Sequence, residues 1–571
     1  MKNKIVAAMF EKIADVLEFQ GEIPFKVNAY RKAARVIGEM QEDIEDVWRE
    51  GRLREIPGVG TALATKIEEY LTTGKMTKYE DVVSSVSADL IELLEIQNLG
   101  PKTAALANKK LGVENLNDLK RVIADGSLAK LPGMGEKKVE NIQKGIELYE
   151  RARARISIGV ALPLVEELIA ELKSRTQVKK IEAAGSTRRM RETVGDIDIL
   201  VETDRGAEVI QAFVHLPNVT RILAAGDTKG SVIVGDRIQV DLRAVGKESY
   251  GAALQYFTGS KAHNVHLRGI ARKNGLKINE YGVFRGEEKI GGEKEADVYH
   301  VLDLVWIPPE MREDRGEIEL AAQNRLPHLI ELKHIKGDLH VHSHWSDGKA
   351  TIAALAIEAR QRDYRYIAVC DHSKSAKYAH GLEEEQVLEK IEEIKQIQEN
   401  VPDIKILSGA EVDILADGSL DYPDEILAQL DIVVAAIHQG FKQRATERML
   451  AAMENPYVFI LAHPTGRLIS RREGYRLELE KVFQKAAETG TILEINSYYD
   501  RLDLSDVNAR RAKEMGIKLS INSDTHELAQ LDAMKLGVGV ARRAWLEPED
   551  VINTYSLEKL LKLRDEKRKG R

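Results

Sequence analysis

The chain has 571 residues, 43% of them hydrophobic and 31% charged, and carries a formal net charge of −8. This length exceeds what one hydrophobic core organises, so several domains are expected, and the composition excludes a wholly disordered chain. No stretch reaches the roughly 18 uninterrupted apolar residues of a membrane span, so no membrane partner is expected. The single cysteine, Cys370, excludes an intramolecular disulfide framework and fits a reducing cytoplasm. Because it ends the apolar run YIAVC, it is expected to be a buried strand residue.

The beginning of the chain, MKNKIVAAMFEKIADVLEF, is an apolar pattern interrupted by charges. It predicts an amphipathic helix and not a signal peptide. Residues 101–155 hold twelve lysines and arginines against seven acidic residues. This region is basic within an acidic protein, so contact with a polyanion is expected to be regional.

Three short stretches of the N-terminal third resemble one another: IPGVGTALATKIEEY, IQNLGPKTAALANKK and LPGMGEKKVENIQKG. Each has an apolar residue, a glycine-containing turn and a helix start, where free N–H groups and the helix dipole suit a phosphate. A single copy is equally well explained as a turn between packed helices, but three copies beside basic residues predict helix-hairpin-helix binding to the DNA backbone. The residues expected to contact DNA are Gly58, Gly60, Gly100, Lys102, Gly133, Gly135 and Lys137.

The segments FKVNAYRKAARVI and PGVGTALATKIEEYL resemble the small amino-terminal domain of DNA polymerase beta and its family X relatives. The resemblance implies binding of the 5′-phosphate of a gap, with Lys26, Tyr30 and Arg31 on the phosphate side. Lys66 falls at the position of a lysine that forms a Schiff base with 5′-deoxyribose phosphate in some members. A second lysine of some relatives is Ala62 here, and Lys66 is as well interpreted as a solvated helix lysine.

The stretch AGSTRRMRETVGDIDILV predicts a strand on which Asp196 and Asp198 face the same side. The second candidate strand, RIQVDLRAV, offers Asp241 in the same alternation. Three converging carboxylates repel one another unless cations lie between them, and they suit two Mg²⁺ or Mn²⁺ about 4 Å apart. Gly185 and Ser186 let the backbone approach a triphosphate, which Arg189 is placed to neutralise. The polar face of an edge strand would explain Asp196 and Asp198 alone. It does not explain a Gly-Ser pair, an arginine, two aspartates and a later single aspartate in that order along the chain, and this order predicts a nucleotidyltransferase.

The segment YFTGSKAHNVHLRGIA resembles the part of family X DNA polymerases that holds the incoming nucleotide. The resemblance covers Met1 to about Glu313 and implies deoxynucleoside triphosphates and gapped or primed DNA with a 5′-phosphate as substrates. It places Tyr256 and Phe257 beside the sugar, Asn264 near the base and Arg268 on the template side, with Gly259 between them. Two further histidines, His263 and His266, are expected to be surface or packing residues.

Seven apolar runs alternate with helical patterns over the last 230 residues: GDLHVH, YIAVCDH, IKILSGAEVD, DIVVAAIHQ, YVFILAHP, TILEINS and KLSINSDTH. Repeated strand–helix units predict a parallel sheet, and seven units predict a closed barrel whose chemistry lies at the carboxyl ends of the strands. Most runs end in a histidine or an acidic residue. At the end of a single strand, such a residue is usually a hydrogen-bonded residue of the core. Nine candidate metal ligands are expected to converge at one mouth: His340, His342, Asp347, His372, Glu411, His438, His463, Asp524 and His526.

Nine ligands of mixed imidazole and carboxylate type suit three metals, with Mn²⁺, Zn²⁺ or Fe²⁺ favoured over Ca²⁺. The array resembles the PHP (polymerase and histidinol phosphatase) domain. The family pattern implies one metal on His340, His342, Glu411 and Asp524, a second on Glu411, His438 and His463, and a third on Asp347, His372 and His526. His344 and His380 fall outside the pattern and are expected at the surface. Arg467, Arg471 and Arg472 either steer a phosphate into the mouth or form a solvated helix face.

Together these observations predict a multidomain chain with a helical N-terminal region, an α+β nucleotidyltransferase palm and thumb, and a distorted (β/α)7 barrel. The expected divisions are 1–80 (helical, 5′-phosphate), 81–155 (fingers), 156–245 (palm), 246–315 (thumb), 316–336 (charged linker) and 337–571 (barrel), with a frayed tail at KLRDEKRKGR. Nothing requires a partner subunit, so a monomer is expected.

Bacterial family X polymerases that resemble the whole chain carry the PHP domain as a Mn²⁺-dependent 3′→5′ exonuclease, some with apurinic-site or 3′-phosphate-removing activity. The resemblance therefore implies a gap-filling repair polymerase that also trims primer ends. Two alternatives stay open. In the first, the barrel is a phosphatase; in the second, the protein is a DNA-end scaffold without catalysis, against which the complete ligand sets argue.

Overall fold

The computed structural model describes residues 2–39, 44–94, 96, 98–153, 155–178, 180–235, 238–441, 444–469 and 474–570. The chain divides into two compact units, Met1–Ala154 and Arg155–Arg571. Within the described ranges, no helix combines the length and the apolar character needed to cross a membrane. The predictions for Arg471 and Arg472 concern positions outside the described residues.

The first unit is entirely helical in its described residues. Its helices are α1 (Lys2–Phe19), α2 (Pro24–Glu39), α3 (Ile44–Arg49), α4 (Thr61–Thr73), α5 (Thr77–Ser84), α6 (Ala88–Leu93), α7 (Pro101–Leu111), α8 (Leu116–Ala124) and α9 (Glu136–Arg153). One apolar core lies around Phe10, Ile37 and Ile67, and a second around Leu119 and Ile142. The amphipathic first helix predicted from the sequence is confirmed by α1, whose apolar side is buried in the first core.

The three predicted hairpin turns share one backbone conformation. Gly58 has a φ of 95° and Gly133 a φ of 75°, each two residues before the glycine that precedes α4 or α9. The middle turn places Asn98 at the same point with a φ of 71°. Asparagine and glycine are the residues that tolerate this left-handed conformation, so the three stretches form the same turn despite their different residues.

The second unit begins with a mixed sheet and its helices. The elements are β1 (Ile156–Ser157), α10 (Ile158–Arg175), β2 (Lys180–Ala183), α11 (Gly185–Arg188), β3 (Thr193–Val194), β4 (Ile197–Glu202), α12 (Gly206–Val214), β5 (Val219–Ala225), β6 (Lys229–Val234) and β7 (Ile238–Val245). Five strands form a sheet in the order β2-β4-β7-β6-β5. In β7 buried and half-buried positions alternate, as the sequence pattern predicted, so Asp241 lies on the less buried face.

A smaller helical and three-stranded region follows: α13 (Tyr250–Thr258), α14 (Lys261–Lys273), β8 (Lys277–Asn279), β9 (Gly282–Arg285), β10 (Glu288–Gly291), α15 (Glu295–His300) and α16 (Glu317–Ala322). Helix α16 lies in the segment 316–336 that the sequence analysis treats as a charged linker. The segment is folded, because its apolar residues Ile318, Ala321 and Leu329 are buried in a core that includes Trp545.

The C-terminal barrel is formed by β11 (Gly337–Val341), α17 (Ile352–Gln361), β12 (Tyr366–Val369), α18 (Glu384–Asn400), β13 (Lys405–Asp413), α19 (Asp424–Leu427), β14 (Ile432–Ala436), α20 (Ala445–Glu454), β15 (Ile460–Leu461), α21 (Leu479–Thr489), β16 (Ile492–Asn496), α22 (Asp506–Glu514), β17 (Leu519–Asn522), α23 (Met534–Arg543) and α24 (Leu557–Arg568). The seven strands are parallel and follow sequence order. A parallel bridge between Val341 and Thr525 joins the first and last strands. The predicted seven-stranded barrel is therefore confirmed, and Cys370 is buried just after β12.

The charged tail is ordered, so the expectation that it frays was wrong. Helix α24 continues to Arg568 and buries Leu560 against the barrel strands. Lys567 is also buried, and its ammonium donates hydrogen bonds to Thr489 O at 3.0 Å and Thr491 Oγ1 at 2.9 Å. Lysine and arginine have long apolar stems that can cover apolar surface. The many charges of the segment therefore do not prevent it from packing against the barrel.

Candidate active sites

The three predicted polymerase carboxylates come together at β4 and β7, two neighbouring interior strands of the five-stranded sheet. Asp198 on β4 is the register partner of Asp241 on the neighbouring parallel strand β7, and Asp196 directly precedes β4. Gly185, with a φ of 58°, lies so close that a Cβ atom there would collide with Asp198 Oδ2. Only glycine therefore lets the start of α11 approach the carboxylates.

The electrostatics of this cluster favour a cation. Burial, together with the charges of Asp196 and Asp241, raises the pKa of Asp198 to about 7. Asp241 Oδ1 accepts hydrogen bonds from Ser231 Oγ and, at 3.2 Å, from Gln239 Nε2. Burial and neighbouring carboxylates thus stabilise the protonated form of Asp198. A divalent cation would offset the same charges, so this cluster fits divalent cations.

A cavity of about 710 Å³ opens beside the aspartates, and we call it the nucleotide pocket. All eight predicted nucleotide-binding residues line it: Gly185, Ser186, Arg189, Tyr256, Phe257, Gly259, Asn264 and Arg268. The pocket is also lined by Arg155, Arg191, Lys261 and Glu313, to which the sequence analysis gave no nucleotide role. Arg191 and Lys261 belong to the two motif segments quoted above, whereas Arg155 and Glu313 are single charges outside them.

Two of the predicted pocket residues are held by contacts within the protein. Arg189 Nε donates to Glu313 Oε1 at 3.1 Å, and its Nη1 donates to Thr258 O. The Asn264 amide donates to Tyr256 O at 2.7 Å, while its oxygen accepts from Gln255 Nε2 at 2.7 Å. These bonds fix both side chains before any ligand arrives, which reduces the cost of ordering them on binding.

The nine predicted barrel ligands converge at the carboxyl ends of the strands. Three groups bring their donor atoms within 4.8 Å of one another: His342, Asp347, His372 and His526; His340, His342 and Asp524; and His372, Glu411 and His438. The family pattern implies that each histidine binds a single metal. In the structure His342 and His372 each belong to two groups, because one imidazole presents a nitrogen on either side.

Glu411 lies at the centre of the cluster. Its Oε1 is 2.9 Å from His463 Nε2 and 3.2 Å from His438 Nε2, and its Oε2 is 3.1 Å from His372 Nδ1. Burial alone would raise the pKa of Glu411, but the surrounding imidazoles of His438, His340 and His372 hold it well below its usual range. An ionised carboxylate with each oxygen facing a different set of imidazoles is the arrangement that bridges two metal ions.

The donor set fits divalent metals on a further observation. Nδ1 of His342 is buried and lacks a hydrogen-bond partner among the described residues, although Asp347 Oδ1 lies 3.9 Å away. A buried polar nitrogen left without a partner costs free energy, which a metal ion between the two groups would recover. Imidazole and carboxylate donors together suit Mn²⁺, Zn²⁺ and Fe²⁺.

Buried acids that the sequence analysis did not identify hold the ligating histidines in place. Glu494 Oε1 is 2.8 Å from His340 Nδ1, and Glu494 Oε2 accepts from the His463 backbone N–H at 2.8 Å. Asp413 Oδ1 is 3.0 Å from His438 Nδ1. Such partners orient metal-binding histidines. Their signal in the sequence is an acid inside an apolar strand, in TILEINS and SGAEVD.

The surroundings of the barrel mouth contain two arginines. Arg501 Nε lies 3.5 Å from Asp524 Oδ2. Arg467, a candidate for steering phosphate, instead donates to Glu192 Oε2 at 2.7 Å and to Arg501 O at 3.1 Å. Its guanidinium is thus engaged by protein groups. His344 and His380 are exposed as expected, and His263 is a buried packing residue between Glu317 and Tyr299.

In the first unit, the predicted phosphate-side residues have protein partners. Lys26 pairs with Glu22 at 2.6 Å, and Arg31 pairs with Asp15 and Glu18. The Tyr30 ring is buried edge-on against Phe10, at a centroid distance of 5.5 Å. Lys66 Nζ donates to Ala62 O at 2.8 Å, and partial burial, with Lys78 and Lys26 nearby, lowers the pKa of Lys66.

The helix-hairpin-helix turns keep the predicted glycines at the surface. Gly58, Gly60, Gly100, Gly133 and Gly135 are all exposed, as is Lys137. Lys102 Nζ lies 3.5 Å from Glu18 Oε1 while most of its side chain stays exposed. Backbone N–H groups at such turns are therefore accessible to a phosphate.

Comparison with known proteins agrees with this arrangement. Family models match residues 1–76 (helix-hairpin-helix domain), 90–147 (SAM-like helix-hairpin-helix tandem), 253–313 (DNA polymerase beta thumb) and 338–498 (PHP domain). The DNA polymerase/3′-5′ exonuclease PolX of Bacillus subtilis is 39% identical over 566 residues, covering 98% of both chains. The chain belongs to the bacterial PolX family. The resemblance to family X polymerases with a PHP domain is thereby confirmed, as is the predicted fold class.

Parts of this PolX-family chain are similar to other proteins. A probable phosphatase of Thermoanaerobacter sp. is 33% identical over 233 residues, which is 38% of this chain and 89% of that protein. DNA polymerase lambda of Arabidopsis thaliana is 26% identical over 346 residues, which is 54% of this chain and 62% of that protein.

Proposed function

We propose that this PolX-family protein extends primer 3′ ends at short gaps in DNA and trims such ends with its barrel. The observation that carries the proposal is the presence of two separate centres in one chain. One is the aspartate pair Asp198 and Asp241 beside the nucleotide pocket, and the other is the histidine-rich cluster around Glu411. The full-length similarity to a protein named as polymerase and 3′-5′ exonuclease supports assigning one activity to each centre.

At the first centre, Asp196, Asp198 and Asp241 would hold two Mg²⁺ or Mn²⁺ ions. Such ions, when bound, activate the primer hydroxyl and stabilise the departing pyrophosphate. The protein supplies the surroundings: Arg189 faces the triphosphate charge, Gly185 and Ser186 offer backbone N–H groups, and Tyr256 and Phe257 pack edge to face at 5.2 Å beside the sugar position. Asn264 and Arg268 would contact the base and the template strand.

At the second centre, the nine ligands would hold three divalent ions, Mn²⁺ or Zn²⁺. Bound there, the ions supply Lewis-acid activation of water for attack on a phosphorus centre. Glu494 and Asp413 keep the imidazoles of His340 and His438 oriented toward the ions. Arg501, at the mouth, offers a positive charge toward an entering phosphate.

Separation of the two activities tests the proposal. Asp196→Ala should abolish nucleotide addition on gapped DNA and leave Mn²⁺-dependent degradation of the primer unchanged. His342→Ala should do the opposite. His344→Ala, two residues from His342 but exposed, and Asp204→Ala, an exposed acid after β4, are matched controls that should retain both activities. Loss of both activities from either Asp196→Ala or His342→Ala in a folded protein would refute the assignment of two centres.

A phosphatase role for the barrel is the second candidate, favoured by the 33% identity of this region to a protein named as a probable phosphatase. The same ligands would serve either reaction. The two are distinguished by turnover of DNA ending in a 3′-phosphate against DNA ending in a 3′-hydroxyl, in Mn²⁺. Faster release of phosphate than of a nucleotide would favour the phosphatase. Cleavage at an internal apurinic site measures the endonuclease alternative in the same assay.

For the first unit, we infer that the exposed helix-hairpin-helix turns contact the DNA backbone and that Lys66 is the candidate Schiff-base lysine. A lowered pKa leaves more of the amine neutral and nucleophilic, which supports this role. Borohydride trapping on 5′-deoxyribose phosphate DNA, in the protein and in Lys66→Arg, tests it, because only the lysine amine can be trapped. Lys78→Arg is the matched control, since Lys78 lies near Lys66 without occupying its position.

We also propose the finer domain division at 80, 155, 245, 315 and 336 as the functional partition of the chain, with 316–336 as a folded segment and not a linker. The monomeric state belongs to the same proposal, and light scattering at several protein concentrations measures it. A scaffold without catalysis would show neither nucleotide incorporation on gapped DNA nor metal in the barrel.

A further inference from the structure

Resting on the proposed polymerase function, we propose that Arg543, a barrel residue, is a positioning residue of the nucleotide pocket. Its guanidinium neutralises Glu313 and thereby leaves the charge of Arg189 free for the triphosphate of the incoming nucleotide. The barrel would then contribute directly to nucleotide affinity, in addition to its own chemistry.

The geometry is a chain of alternating charges that ends in the pocket. Arg543 Nη1 donates to Glu313 Oε1 at 2.9 Å, and the same carboxylate oxygen accepts from Arg189 Nε at 3.1 Å. On its other side, Arg543 Nη2 donates to Asp506 Oδ2 at 2.8 Å, which also accepts from Arg315 Nη1 at 3.0 Å. Glu313 and Arg189 line the nucleotide pocket, whereas Arg543 and Asp506 are barrel residues.

Arg543 also holds the backbone at Arg189, the residue that directly follows α11. Its Nη1 donates to the carbonyl oxygen of Arg189 at 2.8 Å. One turn earlier on α23, Gly539 packs against Met190, where a Cβ atom would lie 2.5 Å from Met190 Cε. Helix α23, which carries Arg543, therefore packs closely against the residues next to Arg189. The Arg543 side chain is only 3% exposed. A buried guanidinium with three acceptors has little freedom to move.

The charges decide what Arg543 does for the pocket. Glu313 Oε1 pairs with both Arg189 and Arg543, and Arg191 Nη1 lies 3.9 Å from Glu313 Oε2. If Arg543 were neutral, the carboxylate would be balanced mainly by Arg189, and a triphosphate entering the pocket would meet a neutral pair. The side chains of Arg189, Glu313 and Arg543 are largely buried, so water screens the interactions between their charges only weakly.

The test uses the full-length protein in single-nucleotide extension of primed DNA. Arg543→Gln removes the charge and leaves a shorter, neutral polar side chain. We expect the KM for the nucleotide to rise roughly 10-fold to 100-fold, as is typical when a hydrogen bond to a charged group is lost. The kcat and the dissociation constant for primed DNA without nucleotide should change less than about threefold, because the loss concerns triphosphate binding.

A second substitution distinguishes this role from a merely structural one. In Glu313→Gln/Arg543→Gln the carboxylate is also neutral, so Arg189 regains its free charge and the KM should return most of the way to that of the unmodified protein. The control is Arg542→Gln, on the adjacent residue, whose guanidinium bonds to Glu310 and to Ile330 O and does not reach the pocket. It should leave the KM unchanged.

Three results would overturn the proposal. They are an unchanged KM in folded Arg543→Gln, a KM of the double variant no lower than that of the single one, and an equal rise in Arg542→Gln. If Arg543→Gln does not fold, Arg543→Lys keeps the charge, so its KM should stay within about threefold of that of the unmodified protein, and a rise of 10-fold or more would overturn the role given to the charge. Absence of nucleotide addition by the unmodified protein would refute the polymerase function itself, which keeps the two failures distinct.

Discussion

Asp198 on β4 and Asp241 on β7 lie directly opposite each other on neighbouring parallel strands. Like charges in this position oppose strand pairing. The pairing nevertheless persists through six successive residue pairs, from Ile197 with Val240 to Glu202 with Val245, whose apolar members are mostly buried. The sheet thus holds two mutually repelling carboxylates in place, a repulsion that a bound cation would relieve.

The first prediction concerns stability without metal. The pKa of Asp198 is raised from 3.8 to about 7, so the folded chain binds this proton more tightly than the unfolded chain does. Stability is therefore lost as the pH rises from 3.8 to about 7. Asp198→Asn, which is neutral at every pH, should melt above the unmodified protein at pH 8 in EDTA, and the difference should shrink at pH 4. Calorimetry measures it, and an equal or lower melting temperature at pH 8 would contradict the account.

The second prediction concerns the number of bound metals. Because one oxygen of Glu411 faces His438 and His463 and the other faces His372, Glu411→Gln should lose more than one equivalent of metal. His526→Ala touches one group and should lose about one. Mass spectrometric metal analysis of the purified proteins gives both values. Equal losses in the two variants would argue against a bridging carboxylate.

The third prediction concerns an acid outside the nine ligands. Glu494→Gln keeps the size of the side chain but weakens its hold on His340 Nδ1 and on the His463 backbone. Metal affinity should fall about 10-fold to 100-fold, the usual effect of removing such a partner. Competition with a chromophoric chelator measures the affinity. Glu488→Gln, on the exposed side of α21, is the control and should bind metal as the unmodified protein does.

The fourth prediction concerns a buried ion pair formed by Lys390 and by Asp371, the residue before His372. Lys390 is fully buried and donates to Asp371 Oδ2 at 3.1 Å and to Gly409 O at 2.9 Å. Lys390→Met leaves the Asp371 charge buried without its cation, which should lower the free energy of unfolding by about 3–5 kcal/mol. Lys395→Met removes an exposed partner of Glu392 on the same helix and should leave stability almost unchanged. Urea unfolding of the two variants decides between them, and similar midpoints would show that the buried pair contributes little.

Much of the fold followed from local patterns. The alternation in RIQVDLRAV predicted which face carries Asp241, and the register of β4 with β7 bears this out. The seven apolar runs predicted seven parallel strands, because such runs separated by helical patterns have few other arrangements. The expectations for the tail and for 316–336 judged those segments by their charge. Each segment nevertheless holds an apolar residue that packs into a core, Leu563 in the tail and Ile318 in 316–336, and only contact with residues distant in the chain reveals this.

By itself the sequence determined which side chains end the strands, which turns precede the helices and which carboxylates share a face. These features depend on the two-residue period of a strand and on residues close together in the chain. Only the tertiary structure decided that His342 serves two ligand groups, that Glu494 orients His340 and that Arg543 reaches Glu313 across 230 positions of sequence. Such contacts form where separate elements pack together. They depend on interactions between residues distant in the chain, so no short stretch of sequence predicts them.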